Sequence, residues 1–189
     1  MEKAGSSDLK KYFHKQVRQI QQDQEKIKNV IEATSPDLKK QQIRYYSSWY
    51  YSAIHILTSL QEEVTEKYIG KKLNLKPDTV KEALHFLLQC GFIKKNGTRH
   101  SITSVRVHLE ESSPLVYSHH MNWRLKAMQT FENPNHITDK HYSSVISLSR
   151  LDAERVKKII LKALKDSEKI LADSREEELY CLNFDFFKL

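Results

Sequence analysis

The stretch IGKKLNLKPDTVKEALHFLLQCGFIKK, residues 69–95, decides the fold. It reads as a short helix, a turn, a second helix that stops at Cys90-Gly91, and the start of an apolar strand. Pro77 suits the first helical position, Asp78 the positive end of the helix dipole, and Gly91 the helix end. Val80, Ala83, Leu84 and Leu87 recur at helical spacing and form the inward stripe. In the preceding helix, Thr65 is placed to cap, and Tyr68, Ile69 and Leu73 face inward.

Reading outward, YYSSWYYSAIHILTSL (residues 45–60) is dense in Tyr, Trp, Ile and Leu. The aromatics fall at i, i+4 and i+5 among aliphatics, which favours a buried helix over an aromatic platform for stacked bases. After Gly91, FIKK and HSITSVRV alternate as strands do, and Asn96-Gly97 between them is a hairpin-turn signal. Three helices and a two-stranded hairpin are the order of a winged helix. Its helices are expected at 45–60, 65–74 and 77–90, and its wing at 92–107.

Elements flank this centre on both sides. An amphipathic helix is expected from Asp8, carried by Leu9, Phe13, Val17, Ile20, Ile27 and Ile31. A helix is expected from Ser113 or Pro114 and ends at Asn133-Pro134-Asn135. Then come a strand at HYSSVISLS (141–149), a helix capped by Asp152 or Ser149, and a last strand at ELYCLNFDFFKL (178–189). The two strands are expected to pair with each other, and Tyr180, Phe184, Phe186 and Phe187 to be core. The expected architecture is therefore mostly α, of α+β type. A central winged helix (45–108) lies between an N-terminal helical segment (1–44) and a helix plus a small strand–helix–strand unit (109–189).

Composition narrows the function classes. Four Gly and four Pro are few for 189 residues and fit long helices. No apolar run is long enough to span a bilayer, and MEKAGSSDLKKYF lacks the core of a signal peptide. Two cysteines, Cys90 and Cys181, make no disulfide framework, so a cytoplasmic protein is expected. His119-His120 has no companion cysteines or HExxH spacing, and no phosphate-binding glycine loop or nucleophile elbow is present. Neither an enzyme nor a cofactor is expected, and no metal.

The net charge of +7 is uneven. Residues 1–45 carry ten basic and six acidic side chains, and residues 46–108 carry nine and five; residues 109–189 carry twelve and thirteen. A basic first half points to an anionic partner, with nucleic acid foremost. In a winged helix the exposed side of the 77–90 helix enters the major groove. That side holds Asp78, Thr79, Lys81, Glu82 and His85. Thr79, Lys81 and His85 are the candidates for bases. Lys71, Lys72, Lys95 and Arg99 are the candidates for phosphates, with Lys67, Lys94 and His100 beside them. Asp78 and Glu82 oppose this reading, because carboxylates repel phosphates. The alternative is a non-enzymatic module that uses the winged helix for dimerisation or protein contact.

Several motifs, taken in order, carry a family resemblance. They are Ser48-Trp49-Tyr50 in the aromatic helix, the 69–95 segment, His120 with Leu125 and Ala127, the alternating serines of YSSVISLS, and the terminal YCLNFDFFKL. The chain resembles a bacterial family of unknown function whose members are described as transcriptional regulators. The likeness runs from about Leu9 to the end. Lys188 stands where the family's closing motif has Pro. Members similar to this chain commonly carry a further helix-turn-helix domain ahead of the Tyr12-Phe13 helix, and the expectation here is the family pattern without it. The resemblance implies a regulator, a homodimer or protein partner, and no catalytic residues.

Overall fold

The computed structural model describes residues 36–60, 62–105, 107, 109, 113–131 and 139–189. The helix expected from Asp8 lies outside the described residues. The chain divides into two compact units, Met1–Ile43 and Arg44–Leu189. Apart from the helical residues 36–43, everything below concerns the second.

Among the described residues the protein is mostly helical, with six helices and one two-stranded antiparallel sheet. In order they are α1 (Pro36–Tyr46), α2 (Trp49–Leu57), α3 (Glu66–Leu73), α4 (Pro77–Gln89), β1 (Ile93–Asn96), β2 (Arg99–Ile102), α5 (Leu115–Thr130) and α6 (Arg150–Asp173).

The local chemistry of α3 and α4 explains their limits. The Thr65 hydroxyl accepts from the Tyr68 amide at 3.2 Å and caps α3. Asn74 ends α3 in the left-handed region, at φ 51°, a conformation that Asn tolerates better than most residues. Pro77 opens α4, where a missing amide hydrogen costs nothing. At the other end Gly91 takes φ 71°. The Phe92 amide donates to the Leu87 carbonyl and the Gly91 amide to that of Leu88, each at 3.0 Å. This is the Schellman arrangement, and it turns the chain directly into β1.

The stripe Val80, Ala83, Leu84 and Leu87 is buried and meets Ile54, Leu57, Val64 and Ile69 in one core. Each fully buried aliphatic side chain here contributes about 1.5–3 kcal/mol relative to exposure. Tyr45, Tyr46 and Tyr51 are buried in the same core. Tyr45 stands edge-on to Tyr46 and to Phe92. The aromatic cluster is therefore packing, not a stacking surface.

The hairpin pairs Ile93 with Ile102 and Asn96 with Arg99. The two-residue loop is thus Gly97-Thr98, with Gly97 at φ 61°, the first position of a type II′ turn. Two further backbone bonds pin β2 to the α2–α3 connection: His100 N donates to Val64 O at 3.0 Å and Ile102 N to Thr58 O at 3.1 Å.

Helix α5 lies against α2. Asn122 donates to the Tyr46 carbonyl at 2.9 Å, and the Trp49 and Trp123 rings meet edge-on at 6.4 Å. The Lys126 ammonium sits 4.1 Å above the Trp49 ring, a cation–π contact.

The expected strand–helix–strand unit is not formed. Helix α6 is present, capped by the Ser149 hydroxyl, which accepts from the Asp152 amide at 3.0 Å. The flanking segments 141–149 and 178–189 are not strands. A strand needs a ladder partner, and these two segments do not pair with each other. Tyr180, Phe184, Phe186 and Phe187 are exposed, contrary to the expectation of a core. Of the last segment, Leu179 alone packs on the hydrophobic core.

Candidate nucleic-acid interface

Helices α3 and α4 and the hairpin present the residues singled out from the sequence. On α4, Asp78, Lys81 and His85 follow each other at three- and four-residue steps and are all exposed, whereas Thr79 beside them is only half-exposed. They form one stripe opposite the buried one. Lys71 and Lys72 end α3, exposed; Lys95 and Arg99 flank the hairpin loop, also exposed. Lys71, Lys81, Lys95 and Arg99 have no ion-pair partner among the described residues.

Glu82 stands apart from this set. Its carboxylate accepts from the Arg44 guanidinium at 2.7 Å and lies 3.4 Å from the Tyr51 hydroxyl. Arg44 also lies 4.8 Å from the centre of the Phe86 ring. The hydrogen bond to Tyr51 and then the one to Glu82 hold the Arg44 pKa above its ordinary value. The carboxylate that counted against an anionic partner is neutralised from the flank of α4. Asp78 has no such partner among the described residues, and it serves the helix dipole in the first turn.

Lys72 is also occupied. Its ammonium donates to the Glu178 carboxylate at 2.6 Å, across 106 positions of chain. That hydrogen bond raises the Lys72 pKa. The terminal segment is tied a second time by a bidentate pair between Arg124 and Asp185. A third tie runs from the Asn183 amide to the Trp123 carbonyl at 3.3 Å.

His100 is a correction. Read with the phosphate candidates, it is instead almost fully buried. Burial, first, holds its pKa below the usual range, with Lys95 adding to the effect. His55 is buried as well, and its Nδ1 lies 3.0 Å from the Tyr45 hydroxyl. Burial lowers its pKa too. The same burial raises Tyr45 strongly and Tyr46 to about 12.

His119 and His120 point differently, as adjacent helical residues do. His119 meets the Tyr46 ring edge-on at 5.2 Å, and His120 is exposed. Among the described residues no three His, Cys, Asp or Glu side chains converge on a metal-sized site. No helix of the described residues is long and apolar enough to cross a membrane. Partial burial raises the thiol pKa of Cys90, which suppresses the reactive thiolate.

Fold and site define a small, mostly helical protein whose helix–hairpin unit carries an exposed cationic face. Residues 30–189 match the family described as a domain of unknown function, DUF4423, and the chain belongs to that family. No curated protein and no solved structure matches the chain.

Proposed function

We propose that α2, α3, α4 and the hairpin form a winged helix that binds duplex DNA without catalysis, as part of a bacterial, cytoplasmic transcription regulator. One observation carries this reading. Arg44 draws Glu82 aside, and Lys81 and His85 are left on an exposed helix face bordered by Lys71, Lys95 and Arg99. In this reading Thr79, Lys81 and His85 face base edges. Lys71, Lys95 and Arg99 neutralise phosphates and set the docking angle. Lys72 joins them only when it leaves Glu178. Three phosphate contacts give a salt slope of about −2.7, so affinity falls roughly 40-fold between about 50 and 200 mM salt.

The test is fluorescence anisotropy with random duplex DNA at two salt concentrations. The expected result is micromolar binding that weakens steeply with salt. Joint reversal of Lys71, Lys95 and Arg99 to Glu, all exposed and remote from the core, should abolish it. Unchanged affinity in that variant would sink the site assignment.

A second reading has Asp78 in its favour: the same face serves protein assembly instead of DNA. It predicts no DNA affinity at any salt and a salt-insensitive complex.

A further inference from the structure

The arm formed by residues 139–189 has an anomaly of its own. Helix α6 is strongly amphipathic in sequence, with Val156, Ile159, Ile160, Leu164, Ile170 and Leu171 toward one side. Val156, Ile160 and Leu164 on that side are half-buried and none of its residues is fully buried, while Ile159 is 67% exposed and Ile170 71%. In the flanking segments Tyr142 is 90% exposed and Tyr180 88%. The exposed large apolar side chains of the arm, spread over the helix and both flanking segments, together present on the order of 2,000 Å².

This surface is held in place and open. Thr130 of α5 lies 3.1 Å from the His141 ring at the start of the arm. Lys72 and Arg124 hold Glu178 and Asp185 near its end. The helix between is about 36 Å long. Its two flanking segments alternate as strands do, and neither has a ladder partner among the described residues. Unpaired backbone of that kind is a template for another chain.

We infer that a second copy of this chain covers the arm. The apolar faces of two α6 helices pack together about a two-fold axis, and segments 141–149 and 178–189 find strand partners across the interface. Area supports this occupant: a stable dimer buries about 800 Å² per partner, and less than half of the arm's apolar surface supplies that. Charge supports it too. Residues 139–189 carry ten basic and ten acidic side chains, so two arms meet without net repulsion. An anionic lipid or nucleic-acid surface would call for a basic excess, and that lies elsewhere in the chain. In a two-fold contact each arm meets its own copy, so one neutral, mixed-sign rim serves both sides. The inference does not depend on the DNA reading.

The experiment is sedimentation of the full chain over a wide concentration range, at low and high salt. The expected species has twice the 22.3 kDa chain mass and persists at high salt, because apolar burial is not screened. A monomer at every concentration overturns the inference. Ile159→Glu combined with Ile170→Glu changes only exposed positions of the single chain. It should weaken the dimer at least roughly a hundredfold while leaving the helical circular dichroism signal in place. A dimer that survives both substitutions forms through another surface and overturns the inference. Hydrogen exchange supplies the second readout: amides within 143–148 and 180–187 should be protected in the dimer and exposed in the variant. Free exchange at those amides in a wild-type dimer would overturn the cross-strand pairing.

Discussion

Glu178→Gln should strengthen DNA binding, and the size of the effect follows from the Lys72 ion pair. The pair is short, 2.6 Å, but its side chains are 34% and 54% exposed. Solvent screening therefore holds its worth to about 0.2–1 kcal/mol. Lys72 must give up that amount before it can meet a phosphate. Removing the carboxylate charge should tighten binding by about 1.4- to 5-fold. It should also steepen the salt slope by up to about 0.9, one added phosphate contact. Two controls isolate the pair from general charge. Glu177→Gln removes a neighbouring charge that holds no cation among the described residues, and so sets the through-space effect. Lys72→Ala should cost less than Lys71→Ala in the wild-type chain, and as much as Lys71→Ala in the Glu178→Gln background. The assay is anisotropy at three salt concentrations for each variant. Equal costs of Lys72→Ala in both backgrounds would refute the reasoning.

Two predictions concern stability. Buried His55 and His100 have folded pKa values below their ordinary ones, whereas in the unfolded chain both take a proton near about 6.5. The unfolded state then binds more protons, so stability is full above about pH 6.5 and is lost as pH falls toward the folded values. Thermal unfolding at pH 7.5 and 5.5 should show the lower Tm at the acid value, and identical Tm values would count against neutral, buried histidines. Leu57 is fully buried at the centre of the core, and Leu57→Ala should cost about 2–5 kcal/mol in urea unfolding; a loss below about 0.5 kcal/mol, the range of surface changes, would contradict that placement.

Much of α3, α4 and the hairpin was readable from sequence, because short-range chemistry decides it. Thr65, Pro77 and Gly91 act within one turn of themselves, and the Val80–Leu87 stripe shows its period directly. The Asn96-Gly97 signal found the hairpin and missed the loop by one residue: Asn96 closes the ladder, and Gly97-Thr98 make the turn. His100 shares the inward alternation of Ile102, a signal that was present but was overridden by its neighbours Lys95 and Arg99. The Arg44–Glu82 pair had no local signal. It joins residues 38 positions apart and depends on how α1 and α4 are phased around Tyr51 and Phe86. The arm misled for a related reason. Alternation in 141–149 and 178–189 records where side chains want to point, and it carries no information about which strand, or which chain, lies alongside.

The contact between α2 and α5 gives the protein a built-in reporter. Its two tryptophans, Trp49 and Trp123, are the ones that touch there, with the Lys126 charge over the Trp49 ring. Intrinsic tryptophan emission from this chain thus comes from a single joint. If α5 shifts against α2, the two indoles separate and the ammonium moves off the ring, which changes emission intensity and wavelength with no label attached. Events confined to the tip of the hairpin or the middle of α6 leave that signal still.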